Sequence, residues 1–308
     1  IGNRNILHPA VTRAQHAKYF TFTKEDWEKL ESDDQKCYMF IGRIRIEDAP
    51  TPVREYIKLG ETQIRTKLRE TRGGGRLACE TEAAKVRKES RKFYGWYDLG
   101  GVVETSFFAV YQAWHKTRFI LCKYPVALYH ALIAFKPKVR LSEDQLKALL
   151  AYLNSSFAQY YIELNGRRSG RGIIGLEVDV AREMPVLDVR KLSDQQITHL
   201  SGLFDKLERA ARLLGGAVEK DQVDNLRPVI MEIDNVVGDL LGLSEGEVKH
   251  VQETVAMLVE RRQAGAKEAR PETVKGKEKV KRLKRGGKKT VKQSTTTLFD
   301  YMGVDNSR

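Results

Sequence analysis

At Ser142 the hydrophobic pattern of this chain changes period, and that change constrains the fold more than any other feature. Ser142 and Gln145 make a capping box, after which Leu146, Leu149, Leu150, Leu153 and Phe157 recur at helical spacing. Ser193 with Gln196 repeats the start signal ahead of Ile197, Leu200, Leu203, Leu207 and Leu214, and Gly215-Gly216 stops that run. A third helix is predicted over residues 225–241, and Ser244 with Glu247 caps a fourth that carries Val248, Val251, Val255, Leu258 and Val259. Apolar stripes of this kind form core faces and carry no chemistry of their own.

Upstream of the change the pattern is that of strands. Residues 37–46 (CYMFIGRIRI) and 102–135 are rich in Val, Ile, Tyr and Phe, with turn signals at Gly100-Gly101, Pro125 and Pro137. Between them, residues 53–69 read as a helix that Gly73-Gly74-Gly75 ends, and residues 81–92 as a short helix with a solvated charged face. After Arg262 the apolar pattern vanishes. Residues 265–292 hold twelve Lys/Arg against three Glu, so of the net +13 only about +4 belongs to the rest of the chain. Such a tract cannot bury enough surface to fold alone, and as a tether it would hold its ends on the order of 30 Å apart. The expected class is α+β: a β-rich part over 1–140, a helical region over 141–264, a disordered basic linker over 265–292 and a terminal peptide over 293–303.

Several function classes are excluded by what is missing. Cys37, Cys79 and Cys122 stand far apart with no C-x-x-C, which argues against a disulfide framework or zinc module and for a reducing, cytoplasmic setting. No apolar run approaches the ~18 residues that would cross a bilayer, so no membrane partner is expected. His8, His16, His115, His130, His199 and His250 show no metal spacing, and there is no G-x-S-x-G and no P-loop. Glu177 and Asp179 read as two acids on one strand face, placed as salt-bridge partners for nearby arginines rather than as catalysts. The opening Ile1-Gly2-Asn3-Arg4 has neither a signal-peptide pattern nor an initiator Met and reads as a fragment whose beginning lies elsewhere.

The basic balance points to a polyanion, and three places could meet one. Arg43 and Arg45 alternate along 37–46 with Phe40, Ile44 and Ile46 opposite, the pattern of a half-buried strand with a basic outer face. Lys116 and Arg118 stand with Trp114 in a predicted hairpin turn over 111–118; the alternative is an ordinary exposed hairpin with Trp114 packed. Arg167, Arg168 and Arg171 alternate with Gly166, Gly170 and Gly172 in a loop where guanidinium and amide groups could approach a phosphate. The alternative there is a flexible turn whose arginines are merely solvated.

Residues 149–187 join these features in a distinctive order: an apolar helix into Leu153-Asn154-Ser155-Ser156, the Gly/Arg loop, a β-like run over 173–180, then Met184-Pro185. With RKFYGWYDL over 91–99, Arg118-Phe119-Ile120, residues 131–135 and Gly242-Leu243-Ser244-Glu245, this order spans residues 1–262. It resembles the region C-terminal to the catalytic domain in adenine-N6 DNA methyltransferases of the TaqI-like and type IIG kind. That resemblance implies a target-recognition domain of a restriction–modification methyltransferase, with double-stranded DNA as partner and an upstream catalytic domain. The family's Asn-Pro-Pro-Tyr/Phe tetrapeptide is absent, since the chain has no Pro-Pro pair. No catalytic, cofactor-binding or metal residue is therefore assigned here, and S-adenosylmethionine is expected only in the parent enzyme. A stand-alone DNA-binding adaptor and a separate specificity subunit remain alternatives.

The terminal peptide carries its own signal. Thr295, Leu298, Phe299, Tyr301 and Met302 lie in TTTLFDYM, where Leu298, Tyr301 and Met302 would share one side of a single helical turn. The stretch resembles the PCNA-interacting motif in its archaeal form, although Thr295 stands where a Gln is usual and Gln293 is displaced by two. The resemblance implies a sliding clamp as partner and an archaeal source.

Overall fold

Strand-forming sequence dominates the first part of the chain and helix-forming sequence the second, and the two share one core. The structure, a computed structural model, describes residues 6–63, 76–170, 172–268 and 302–303. The first part contains β1 (Leu7–Val11), β2 (Thr21–Phe22), α1 (Lys24–Ser32), β3 (Tyr38–Phe40), α2 (Thr51–Thr62), α3 (Glu82–Glu89), β4 (Phe107–Val110), β5 (Gln112–Ala113), β6 (Phe119–Cys122), β7 (Ala127–Leu128) and β8 (Leu132–Pro137). The second contains α4 (Glu143–Leu153), α5 (Ser156–Asn165), β9 (Arg167–Ser169), β10 (Ile173–Gly175), α6 (Val178–Glu183), α7 (Asp194–Leu213), α8 (Lys220–Leu241), α9 (Glu245–Glu268) and β11 (Met302–Gly303). The α+β class is as expected. Among the described residues no helix is long and apolar enough to cross a membrane.

The strands form three sheets, ordered β11-β8-β4-β6-β2, β3-β1-β7 and β5-β10-β9. All four residues of β4 are buried, which explains its unbroken apolar run. Phe107 and Ala109 face the helices, while Phe108 and Val110 face Phe22 and Trp27 on the other side. The register pairs Phe107 with Phe135, and their rings stack at 4.9 Å. One core unites Phe107, Phe119 and Phe135 with Leu149, Leu150, Leu200, Phe204 and Ile233, so the packing runs through residue 140 rather than dividing there.

Four elements differ from expectation. The strand predicted over 37–46 is only β3; beyond Phe40 the chain leaves β1, and Ile44 and Ile46 pack with Val53 and Ile57 of α2 instead. Exposure of Arg43 and Arg45 persists, but it comes from that packing and not from strand alternation. The run over 173–180 is a strand only to Gly175, and Val178–Glu183 is helical with Glu177 at its start. The predicted stripe from Leu146 to Phe157 is divided between α4 and α5, because Asn154 closes the first helix and the Ser155 hydroxyl caps the second. At the terminus Met302 is extended, pairing with Pro137 on the edge of β8, so it does not sit on a helical turn. The linker expected over 265–292 begins later than predicted, because residues 265–268 continue α9; its remainder and Thr295, Leu298, Phe299 and Tyr301 lie outside the described residues.

Candidate nucleic-acid interface

The small sheet β5-β10-β9 brings together two stretches that the sequence marks as basic. Ile174 pairs with Ala113 on one side and with Arg168 on the other, so the hairpin of β9 and β10 lies beside the chain that leaves β5. Arg167 and Arg168 are exposed on β9, and Arg171 lies outside the described residues. Two glycines of the hairpin are explained by the path of the backbone rather than by approach to a phosphate. A Cβ on Gly166 would lie 2.5 Å from the carbonyl oxygen of Ile162, and Gly172 has φ of 74°. Glu177 stands 3.6 Å from Arg167 and accepts the Tyr111 hydroxyl at 2.8 Å, which raises the tyrosine's pKa. That is the salt-bridge role expected of Glu177.

The turn between β5 and β6 is fastened inward at almost every residue. The Trp114 carbonyl accepts from Arg262 Nη1 at 2.9 Å and from Gln263 Nε2 at 3.0 Å, and Gln263 also meets His115 Nδ1 at 3.0 Å. Lys116 Nζ donates to the Ser155 carbonyl at 3.3 Å, and the Thr117 amide donates to Gln159 Oε1 at 3.1 Å. Arg118 is 4% exposed and donates to the carbonyls of Ala17 and Ala14. The Asn154 amide group embraces the backbone of Phe119, accepting from its N–H at 3.0 Å and donating to its carbonyl at 2.8 Å. The Leu-Asn-Ser-Ser segment is thus a joint that fixes the start of β6.

Arg118 is consequently buried, and the half-buried Lys116 has its ammonium bonded inward. A buried cation is tolerated only with hydrogen-bond acceptors, and backbone carbonyls supply them here. Burial pulls the Lys116 ammonium down to about 8 and the Arg118 guanidinium down to about 10.

Behind the turn lies a charge pair that carries much of the geometry. Arg262 reaches from α9 to grip Glu163 of α5 through two N–H donors at 2.9 and 3.0 Å, with side chains 2% and 0% exposed. The same guanidinium donates to the Gly172 carbonyl, and Gln159 Nε2 donates to Glu163 at 3.0 Å. One arginine therefore ties α5, the turn after β5 and the tip of the hairpin.

Arg43 and Arg45 sit elsewhere, after β3. Arg43 Nη1 donates to the Gly100 carbonyl at 3.0 Å, and its Nε lies 3.8 Å from the buried Asp98. It borders a cavity of about 640 Å³ lined by Ile41, Ile44, Val102, Pro125 and Ala127. Among the described residues no group of three or more His, Cys, Asp or Glu is placed to hold a metal ion.

The chain is similar to the type II methyltransferase M.AccI of Acinetobacter calcoaceticus, at 23% identity over 205 residues. That stretch is 66% of this chain and 34% of the relative, so the chain spans about a third of the length of M.AccI. No family model and no solved structure matches. The likeness to M.AccI is distant and relates this chain to part of a methyltransferase.

Sequence reasoning passed over Arg262, Glu163 and Gln159. One signal was present. Arg262 continues the apolar stripe Val248, Val251, Val255 and Val259 at helical spacing, and a charged residue on such a stripe needs a buried partner.

Proposed function

We propose that this chain is the DNA-reading part of an adenine-N6 DNA methyltransferase of restriction–modification type, working in the cytoplasm beside an upstream catalytic domain. The observation that carries this reading is the hairpin of β9 and β10: two exposed arginines on a strand held rigidly from behind by Arg262. Phosphate contacts fix the register of a protein on a duplex, and arginines on a rigid ribbon suit that role. Likeness to a third of M.AccI supports the division of labour, because a part of a methyltransferase can read DNA without carrying the chemistry. S-adenosylmethionine then belongs to the catalytic domain, and no residue here is assigned to it.

Arg167, Arg168 and Arg171 form the principal contact set, with Arg43 and Arg45 as a second basic surface. Lys116 and Arg118 leave the set because both face inward. Resemblance of the terminal peptide to a PCNA-interacting motif adds recruitment by a sliding clamp, through Thr295, Leu298, Phe299, Tyr301 and Met302. A stand-alone adaptor or separate specificity subunit would use the same DNA surface and differ only in what precedes it.

The test is duplex binding by the full chain across a range of salt. Each phosphate contact contributes about 0.9 to the slope of log K against log salt. Replacing Arg167 and Arg168 together by Ala should lower the slope by about 1 to 2 and weaken binding at every salt. An unchanged slope would count against the hairpin as the phosphate contact.

A further inference from the structure

The three tryptophans of this chain have different environments. Trp27 is 7% exposed, donates its indole N–H to the Cys37 carbonyl at 3.0 Å and packs against Tyr38 and Tyr124. Trp96 donates to Glu61 at 3.1 Å and meets the Tyr97 ring edge-on. Trp114 is 44% exposed, and none of the described residues accepts its N–H. A lone exposed aromatic is ordinary. What sets this one apart is the backbone beneath it.

The Trp114 carbonyl takes two hydrogen bonds from α9, and from Lys116 to Phe119 each residue is anchored to a different part of the interior. The polar side chains of the turn point in, and the indole is left outside on a fixed stalk. Arg262 holds the Trp114 and Gly172 carbonyls with one guanidinium, so the stalk and the tip of the arginine hairpin move together. The pairing of Ala113 with Ile174 places Trp114 at the end of the small sheet where that tip lies.

We infer that Trp114 is a stacking contact of the nucleic-acid surface, one that lies against a base left unstacked in a duplex while the hairpin arginines hold the neighbouring phosphates. The inference rests on the DNA-reading role proposed above. A rigid aromatic on a fixed backbone loses little freedom on binding, and stacking on a base is insensitive to sequence. Arg262 and Gln263 are positioning residues for this contact.

The probe is a fluorescein-labelled duplex of about thirty base pairs with one unpaired adenine, compared with its fully paired counterpart. The full chain should bind the unpaired form about tenfold more tightly, within the range that base–aromatic stacking supplies. Trp114→Ala should abolish that preference and Trp114→Phe should retain most of it, with the salt slope unchanged in both. Arg167→Ala with Arg168→Ala should lower the slope and leave the preference. An unaltered circular dichroism spectrum for Trp114→Ala separates lost stacking from lost folding. Equal binding of both duplexes by wild type, or full preference in Trp114→Ala, would overturn the stacking role and leave DNA reading standing. Binding of neither duplex by wild type would overturn both.

Discussion

Replacing Arg262 by Met should cost this fold more than almost any other single change of similar volume. Its guanidinium makes two bonds to Glu163, one to the Trp114 carbonyl and one to the Gly172 carbonyl, all behind a surface that leaves 2% of the side chain exposed. Methionine fills much of the same space and keeps none of these donors. Among the described residues, Glu163, itself 0% exposed, would keep the Gln159 amide at 3.0 Å as its side-chain hydrogen-bond donor. A buried charge left without its partner costs about 3–5 kcal/mol, a large share of the ~5–15 kcal/mol by which domains are usually stable. Urea unfolding followed by circular dichroism reads this directly. At a slope of about 2–3 kcal/mol/M the midpoint should fall by about 1–2 M. Arg262→Met with Glu163→Leu removes both charges and should recover most of the loss, because a buried pair replaced by apolar groups is often neutral. A single variant within about 1 kcal/mol of wild type, or a double variant no better than the single, would refute the reasoning.

Two further outcomes follow from particular groups. Burial lowers the Lys116 ammonium to about 8, so between pH 8 and 10.5 the unfolded chain holds a proton that the folded chain has lost, and stability on this account rises with pH. Below pH 8 both states hold it and the full cost remains, so Lys116→Met should be more stable than wild type at pH 7 by about 1–3 kcal/mol, with the gap closing towards pH 10.5; a gap that widens with pH would contradict the assignment. A peptide spanning residues 292–303 should bind the cognate sliding clamp and lose binding when Leu298 and Tyr301 are both Ala, and equal binding by the double variant would sink the clamp proposal.

Local signals predicted local structure well. The capping boxes at Ser142, Ser193 and Ser244 are formed as read, since each joins residues three apart. Thr23 and Asp26 form another at the start of α1, which the strand-rich composition of the first part concealed. Asn154 was harder to interpret, because it closes a helix and binds a strand 35 positions away. Lys116 and Arg118 show the limit most clearly. Both are basic residues in a turn beside an exposed tryptophan, yet their direction is set by the carbonyls of Ser155 and Ala17, 39 and 101 positions distant. Arg262 and Glu163 are 99 apart, and only the fold brings them together. Arg167 and Arg168 stay exposed where the sequence put them, with Arg167 3.6 Å from Glu177 and Arg168 Nη2 donating to the nearby Glu163 carbonyl at 3.5 Å.

That this chain reads duplex sequence is tested most directly by selection from a duplex library with a randomised centre. The full chain is mixed with the library at moderate salt, and the retained DNA is sequenced over successive rounds. One short motif should rise to dominate the pool, and Arg167→Ala with Arg168→Ala should weaken retention without creating a new motif. A retained pool as random as the starting library, or no retention even at low salt, would contradict a DNA-reading role.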